Sequence, residues 1–128
     1  MLKAFTLIEL LVVIAILGIL STIGVITFTD HIASTHKKKA EVTLKSLSLA
    51  QTEYRSNNSE YCINDCSSTS KIISNLLDGV DDLTEQKYNF TISRGSSSDS
   101  FVIQAKHQTS SCTLKLTEKG GKVAESGC

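Results

Sequence analysis

From Phe5 to Phe28 the chain is apolar apart from one formal charge, Glu9. A helix over this run of about 24 residues is about 36 Å long at a rise of ~1.5 Å per residue. That crosses a ~30 Å hydrocarbon core with some tilt. Lipid offers the backbone no hydrogen-bond partners, so a spanning segment must be helical. The pattern then turns amphipathic without Pro or Gly from Asp30 to Arg55. Ala33, Ala40, Leu44, Leu47, Gln51 and Tyr54 recur at heptad-like spacing, widened by Ile32 and Ala50. Val42 and Leu49 form a narrow second stripe on roughly the opposite side. The broad stripe predicts contact with the chain's own globular part. The narrow one is either a surface for a neighbour or ordinary exposed apolar area. One helix of about 75 Å, from Phe5 to Arg55, is the expectation.

Ser56-Asn57-Asn58-Ser59 is a stop signal. In the connection that follows, Ile72, Ile73, Leu76 and Leu77 have helical spacing. Ser67–Ser70 are cap candidates and Gly79 is a stop, which predicts one short helix. From Lys87 the period becomes two: Tyr88, Phe90 and Ile92, then Phe101, Ile103 and Ala105, then Leu114 and Leu116. Gly95–Ser100 and Gln108–Ser111 join these runs, and Glu118–Lys122 reads as a hairpin turn. The predicted fold class is α+β: a long N-terminal helix on a small antiparallel sheet with one apolar face. The segments are 1–4, a short leader; 5–28, the membrane half of the helix; 29–55, its amphipathic half; 56–86, the connection; and 87–128, the sheet with its C-terminal hairpin. A residual sheet edge is left open to strand addition.

Four cysteines, Cys62, Cys66, Cys112 and Cys128, lie beyond the apolar run, which reads as two disulfides in an oxidising compartment. A hairpin centred on Gly120 places Cys112 opposite Cys128, with register free to slip by one. Neighbouring strands supply the Cα separation of about 4.4–6.8 Å that a disulfide needs. That pairs Cys112 with Cys128 and leaves Cys62 with Cys66. A four-cysteine zinc site is the rival, but the spacings lack paired C-x-x-C knuckles.

Lys+Arg and Asp+Glu both number 13, so total charge names no partner. The balance conceals a contrast. Residues 56–86 hold Glu60, Asp65, Asp78, Asp81, Asp82 and Glu85 against Lys71, a net of −5. Residues 101–128 hold Lys106, Lys115, Lys119 and Lys122 against Glu118 and Glu125, a net of +2. Asp78, Asp81 and Asp82 match no EF-hand loop. His31 and His36 are five apart, a poor same-face spacing. No Ser/His/Asp spacing or phosphate-binding glycine loop stands out. The expectation is a protein that is not an enzyme and uses no metal or cofactor.

The remaining signal is at the start. A secretory signal places its small-residue cleavage site after the apolar region; here Ala4 precedes it. A cut between Ala4 and Phe5 would keep the helix on the mature chain and give Phe5 a free, cationic amine. The Glu9 carboxylate would be its natural partner in lipid, within one helix or between staggered neighbours. Ala4-Phe5-Thr6-Leu7-Ile8-Glu9-Leu10-Leu11-Val12 closely resembles the type IV prepilin signature. The close resemblance spans residues 3–27. It departs from the usual pattern in having Ala4 in place of Gly before the cut and no proline late in the apolar segment.

The resemblance implies cleavage at Ala4–Phe5 by a prepilin peptidase, N-methylation of Phe5, and a role for Glu9 in filament assembly. It also agrees with a disulfide closing the C-terminal region. Lys3 favours an inside N-terminus and Lys37–Lys39 oppose it; the cysteines and leader place the C-terminal domain outside the cytoplasm. The implied function is structural: a pilin subunit that waits in the inner membrane and is extracted by assembly machinery into a helical extracellular filament of pilin subunits. The filament would serve adhesion, twitching motility or DNA uptake. The helix is expected to loosen in the filament around Gly18 and Gly24, which are poor helix formers amid β-branched neighbours. Two rivals share the signature: a type II secretion pseudopilin, and a minor pilin acting as a DNA-uptake receptor. For the latter, Lys106, His107, Lys115, Lys119 and Lys122 form the candidate footprint. The same lysines are candidates for meeting the acidic connection of an adjacent subunit.

Overall fold

The computed structural model describes residues 3–128; Met1 and Leu2 of the expected leader lie outside the described residues. Helix α1 runs Leu7–Asn58, followed by a 3-10 turn at Asn64–Cys66, helix α2 at Thr69–Asn75, and four strands: β1 Tyr88–Arg94, β2 Phe101–His107, β3 Thr113–Thr117 and β4 Ala124–Ser126. The chain divides into two compact units, with the boundary between Thr35 and His36.

In the N-terminal unit the helix starts at Leu7, two residues later than the apolar pattern suggests, because Thr6 caps it. Its apolar side chains from Leu7 to Phe28 are exposed. The segment is long and apolar enough to cross a membrane. Its hydroxyls bond back to the preceding turn: Ser21 to the Leu17 carbonyl (2.6 Å), Thr22 to Ile19 (2.7 Å), Thr27 to Ile23 and Gly24, Thr29 to Ile26 (2.9 Å). Each hydroxyl is thereby satisfied without water, which a lipid surround requires.

In the C-terminal unit, Ala40, Leu44 and Leu47 of α1 are buried. They share one core with Phe90, Ile92, Phe101, Ile103, Leu114 and Leu116 of the sheet and with Ile72 and Leu83 of the connection. Fully burying such a side chain contributes about 1.5–3 kcal/mol. Ala33 and Ile32 are exposed, and so are Val42 and Leu49 of the narrow stripe. The sheet is an antiparallel meander in the order β1-β2-β3-β4. Helix α2 is capped by Ser68, whose hydroxyl accepts from the Lys71 N–H. It stops at Asn75, ahead of Gly79, in a turn where Asp78 and Gly79 both have positive φ and the Gly79 N–H bonds to Ile73 O (2.8 Å).

Three local devices complete the unit. Gln51, fully buried, clasps the backbone of Cys62: its Nε2 donates to Cys62 O (2.6 Å) and its Oε1 accepts from Cys62 N–H (2.9 Å). The Thr69 hydroxyl accepts from Phe90 N–H (2.9 Å) and donates to Phe90 O (3.1 Å). It therefore plugs the outer edge of β1, which the alternating pattern alone leaves open to strand addition. The final hairpin is slipped by one residue from a turn centred on Gly120. Thr113 faces Ser126, so extending the register puts Gly127, not Cys128, across from Cys112. Gly127 has φ +70°, and a Cβ there would collide with the Ser111 carbonyl. This turn brings the Cα atoms of Cys112 and Cys128 to 4.3 Å, and the two are disulfide-bonded. Cys62 and Cys66 form the second bridge, Cα atoms 5.6 Å apart.

Candidate functional site

Two places gather the residues with chemistry. At the N-terminus, Ala4 and Phe5 are exposed ahead of the helix, with Phe5 90% accessible. Glu9 occupies the third helical position and closes a reciprocal capping box with Thr6. Its Oε2 accepts from the Thr6 N–H (2.8 Å) and hydroxyl (2.9 Å), while the Glu9 N–H donates to Thr6 Oγ1 (3.3 Å). The carboxylate is thus held against Thr6 by its own chain. Thr6 escapes a reading based on charge alone, although its Thr-x-x-Glu spacing is a sequence signal for a helix start. Gly18 and Gly24 lie inside α1 with nothing within 4 Å of where a Cβ would be.

The second place is the outer face of the sheet. Strand alternation sends Phe90, Ile92, Phe101, Ile103, Ala105, Leu114 and Leu116 inward. The other face presents Asn89, Thr91 and Ser93 of β1, Val102, Gln104 and Lys106 of β2, Thr113, Lys115 and Thr117 of β3, and Ala124 and Ser126 of β4. No carboxylate is among them. Lys106 pairs with Thr113, and Lys115 pairs with Gln104, so the two lysines lie diagonally on neighbouring strands. Lys119 and Lys122 are exposed in the β3–β4 turn.

Two members of the charge pattern are placed differently from the linear reading. His107 is on the inward-facing parity, edge-on to Tyr88 (ring centroids 5.0 Å apart). Its Nδ1 accepts from the N–H groups of Thr109 (3.2 Å) and Ser110 (3.0 Å). It therefore organises the β2–β3 turn and leaves the lysine face. Glu125 is paired with Lys37 of α1, Nζ–Oε2 2.7 Å. The Lys37 hydrogen bond holds the Glu125 carboxyl below its ordinary range, and Glu125 holds the Lys37 ammonium above its own. One of the two acids counted against the C-terminal lysines is thus already neutralised by the helix.

The acidic connection is also partly committed. Asp81 accepts from Thr84 Oγ1–H, from Thr84 N–H (3.1 Å) and from Leu83 N–H (3.3 Å). These bonds, the Thr84 hydroxyl first, hold its carboxyl below the usual range. Asp78 and Asp82 are exposed. Among the described residues no group of three or more His, Cys, Asp or Glu side chains is arranged to hold a metal.

Residues 3–25 match the prokaryotic N-terminal methylation motif. Residues 27–128 match the family described as type IV minor pilin ComP, DNA uptake sequence receptor. The chain belongs to this family of type IV minor pilins. No curated protein and no solved structure matches it. The long apolar helix and small four-stranded antiparallel sheet of this pilin are the type IV pilin-like fold. Membership agrees with a non-enzymatic protein, and it favours the DNA-receptor reading over that of a generic filament subunit.

Proposed function

We propose that this pilin is a DNA-binding minor subunit of a type IV filament, holding duplex DNA on the outer face of its sheet. The observation that carries the reading is that face: Lys106 and Lys115 stand on it with no carboxylate among the side chains that the strands present there, and Lys119 and Lys122 are exposed in the turn at one end. Phosphate contacts from lysine are the sequence-independent part of DNA binding. Each adds about 0.9 to the salt slope, so four would give about 3.6, or roughly 150-fold weaker binding between 50 and 200 mM salt.

In this reading a prepilin peptidase cuts between Ala4 and Phe5 and the new terminus is methylated. The precursor, anchored in the inner membrane, is passed by assembly machinery into an extracellular filament. There the apolar helices replace lipid with one another. Glu9, already steered by Thr6, meets the amine of a neighbour's Phe5. The disulfide-closed domain stays on the surface, where DNA reaches it.

The test is DNA binding by the full-length pilin in detergent micelles over a range of salt. Lys106→Ala and Lys115→Ala should each weaken binding on all duplexes and lower the salt slope by about 1. Unchanged affinity and slope in the double variant would reject the face as the DNA site.

A further inference from the structure

The outer face has a ridge two strands wide. Its longer side chains, Gln104, Lys106 and Lys115, stand on the central strands β2 and β3. The flanking positions beside Gln104 and Lys115 carry only Thr91 and Ala124. Strands lie about 4.8 Å apart. The major groove of B-DNA is about 12 Å wide and admits a two-stranded ribbon. The side chains of the central pair are therefore narrow enough to enter the groove, while the flanking strands, with short side chains, lie across its rims.

Gln104 sits at the middle of this ridge, opposite Lys115 on one side and Thr91 on the other. Its amide forms no hydrogen bond among the described residues. The other glutamine amides are committed: Gln51 to Cys62, Gln86 to Thr43 and Asp82, Gln108 to Gln86 and Asn89. Asn89, the other amide on this face, already accepts from Gln108 (3.3 Å). An uncommitted amide offers one acceptor and two donor hydrogens. That set matches the N6 donor and N7 acceptor of adenine in the major groove. Lys106, next on the same face of β2, and Lys115, across from Gln104 on β3, would hold phosphates and set the register, which carries no sequence information.

We infer that Gln104 is a specificity-determining residue that reads an adenine edge through the major groove. The inference rests on the DNA-binding reading of the same face. It is tested with the full-length pilin in detergent micelles and duplexes selected by it from a randomised library, followed by fluorescence anisotropy. Replacing one particular adenine of the selected duplex by 7-deazaadenine, which lacks N7, should weaken the unmodified pilin about 5- to 150-fold. Gln104→Ala and Gln104→Thr should bind the modified and unmodified duplexes equally. On a scrambled duplex both variants should keep the parent salt slope, because a neutral amide neutralises no phosphate. A parent pilin with no sequence preference, or indifferent to 7-deazaadenine at every adenine, overturns the inference; so does either variant retaining the parent's discrimination. If Lys106→Ala and Lys115→Ala leave scrambled-duplex binding untouched, the underlying reading of the face fails instead.

Discussion

Replacing Gln51 by Leu tests how the end of the long helix is tied to the rest of the domain. Leu is apolar and similar in size, so the helix and its packing tolerate it. The change nevertheless removes both partners of the Cys62 backbone, whose O and N–H bond to Gln51 at 2.6 and 2.9 Å. Both residues are buried, Gln51 at 0% and Cys62 at 2% exposure, so water does not replace the lost amide. A buried polar group left unpaired costs about 1–3 kcal/mol, so the two orphaned groups together predict a loss of roughly 2–6 kcal/mol. A domain with about 5–15 kcal/mol of total stability would feel that strongly. The measurement is urea unfolding of the full-length pilin in detergent, followed by near-ultraviolet circular dichroism with both disulfides intact. Thr52→Ala, at the adjacent exposed position, is the control and should shift stability by less than about 0.5 kcal/mol. A Gln51→Leu effect no larger than the control's would refute the account.

Filament protein should begin at N-methylated Phe5 by mass spectrometry, and Glu9→Ala should insert normally but assemble poorly; an intact Met1 or normal piliation by the variant counts against the respective role. In a filament map, helix α1 should open between Gly18 and Ile26, where hydroxyls of Ser21, Thr22, Thr27 and Thr29 already offer carbonyls a second partner; unbroken helix through Gly24 rejects this. Lys119→Glu with Lys122→Glu should weaken filaments, with partial rescue by Asp78→Lys and Asp82→Lys in place of Asp81, which caps its own turn; exposed pairs contribute only ~0.2–1 kcal/mol each, and absence of rescue together with lost DNA binding by the lysine variant favours the DNA-receptor role instead. The Lys37 hydrogen bond lowers the Glu125 carboxyl pKa in the folded chain, so its contribution is present above the ordinary unfolded value and lost as pH falls through the lower folded one. Lys37→Met should remove that part of the acid dependence in unfolding measured between pH 5 and 2; an unchanged profile would show the pair to be inert.

What was legible in the sequence is what is local. The prepilin-like start, the apolar helix and the switch to period two at Tyr88 each depend on neighbours within a turn or a strand. Even the pairing of Cys112 with Cys128 follows from a hairpin closing on glycines. The one-residue slip did not follow, because it depends on Gly127 adopting positive φ against Ser111. Gln51 reads as one more position in an apolar stripe, since its partner at Cys62 lies beyond the helix end. The candidate DNA face depended most on tertiary structure. Charge counting along the chain sets Glu125 against the lysines and His107 beside them. Alternation in β2 turns His107 inward, and packing of α1 hands Glu125 to Lys37, 88 residues away in the chain. Only the strand register sets Lys115 across from Gln104, because cross-strand neighbours are set by pairing and not by sequence distance.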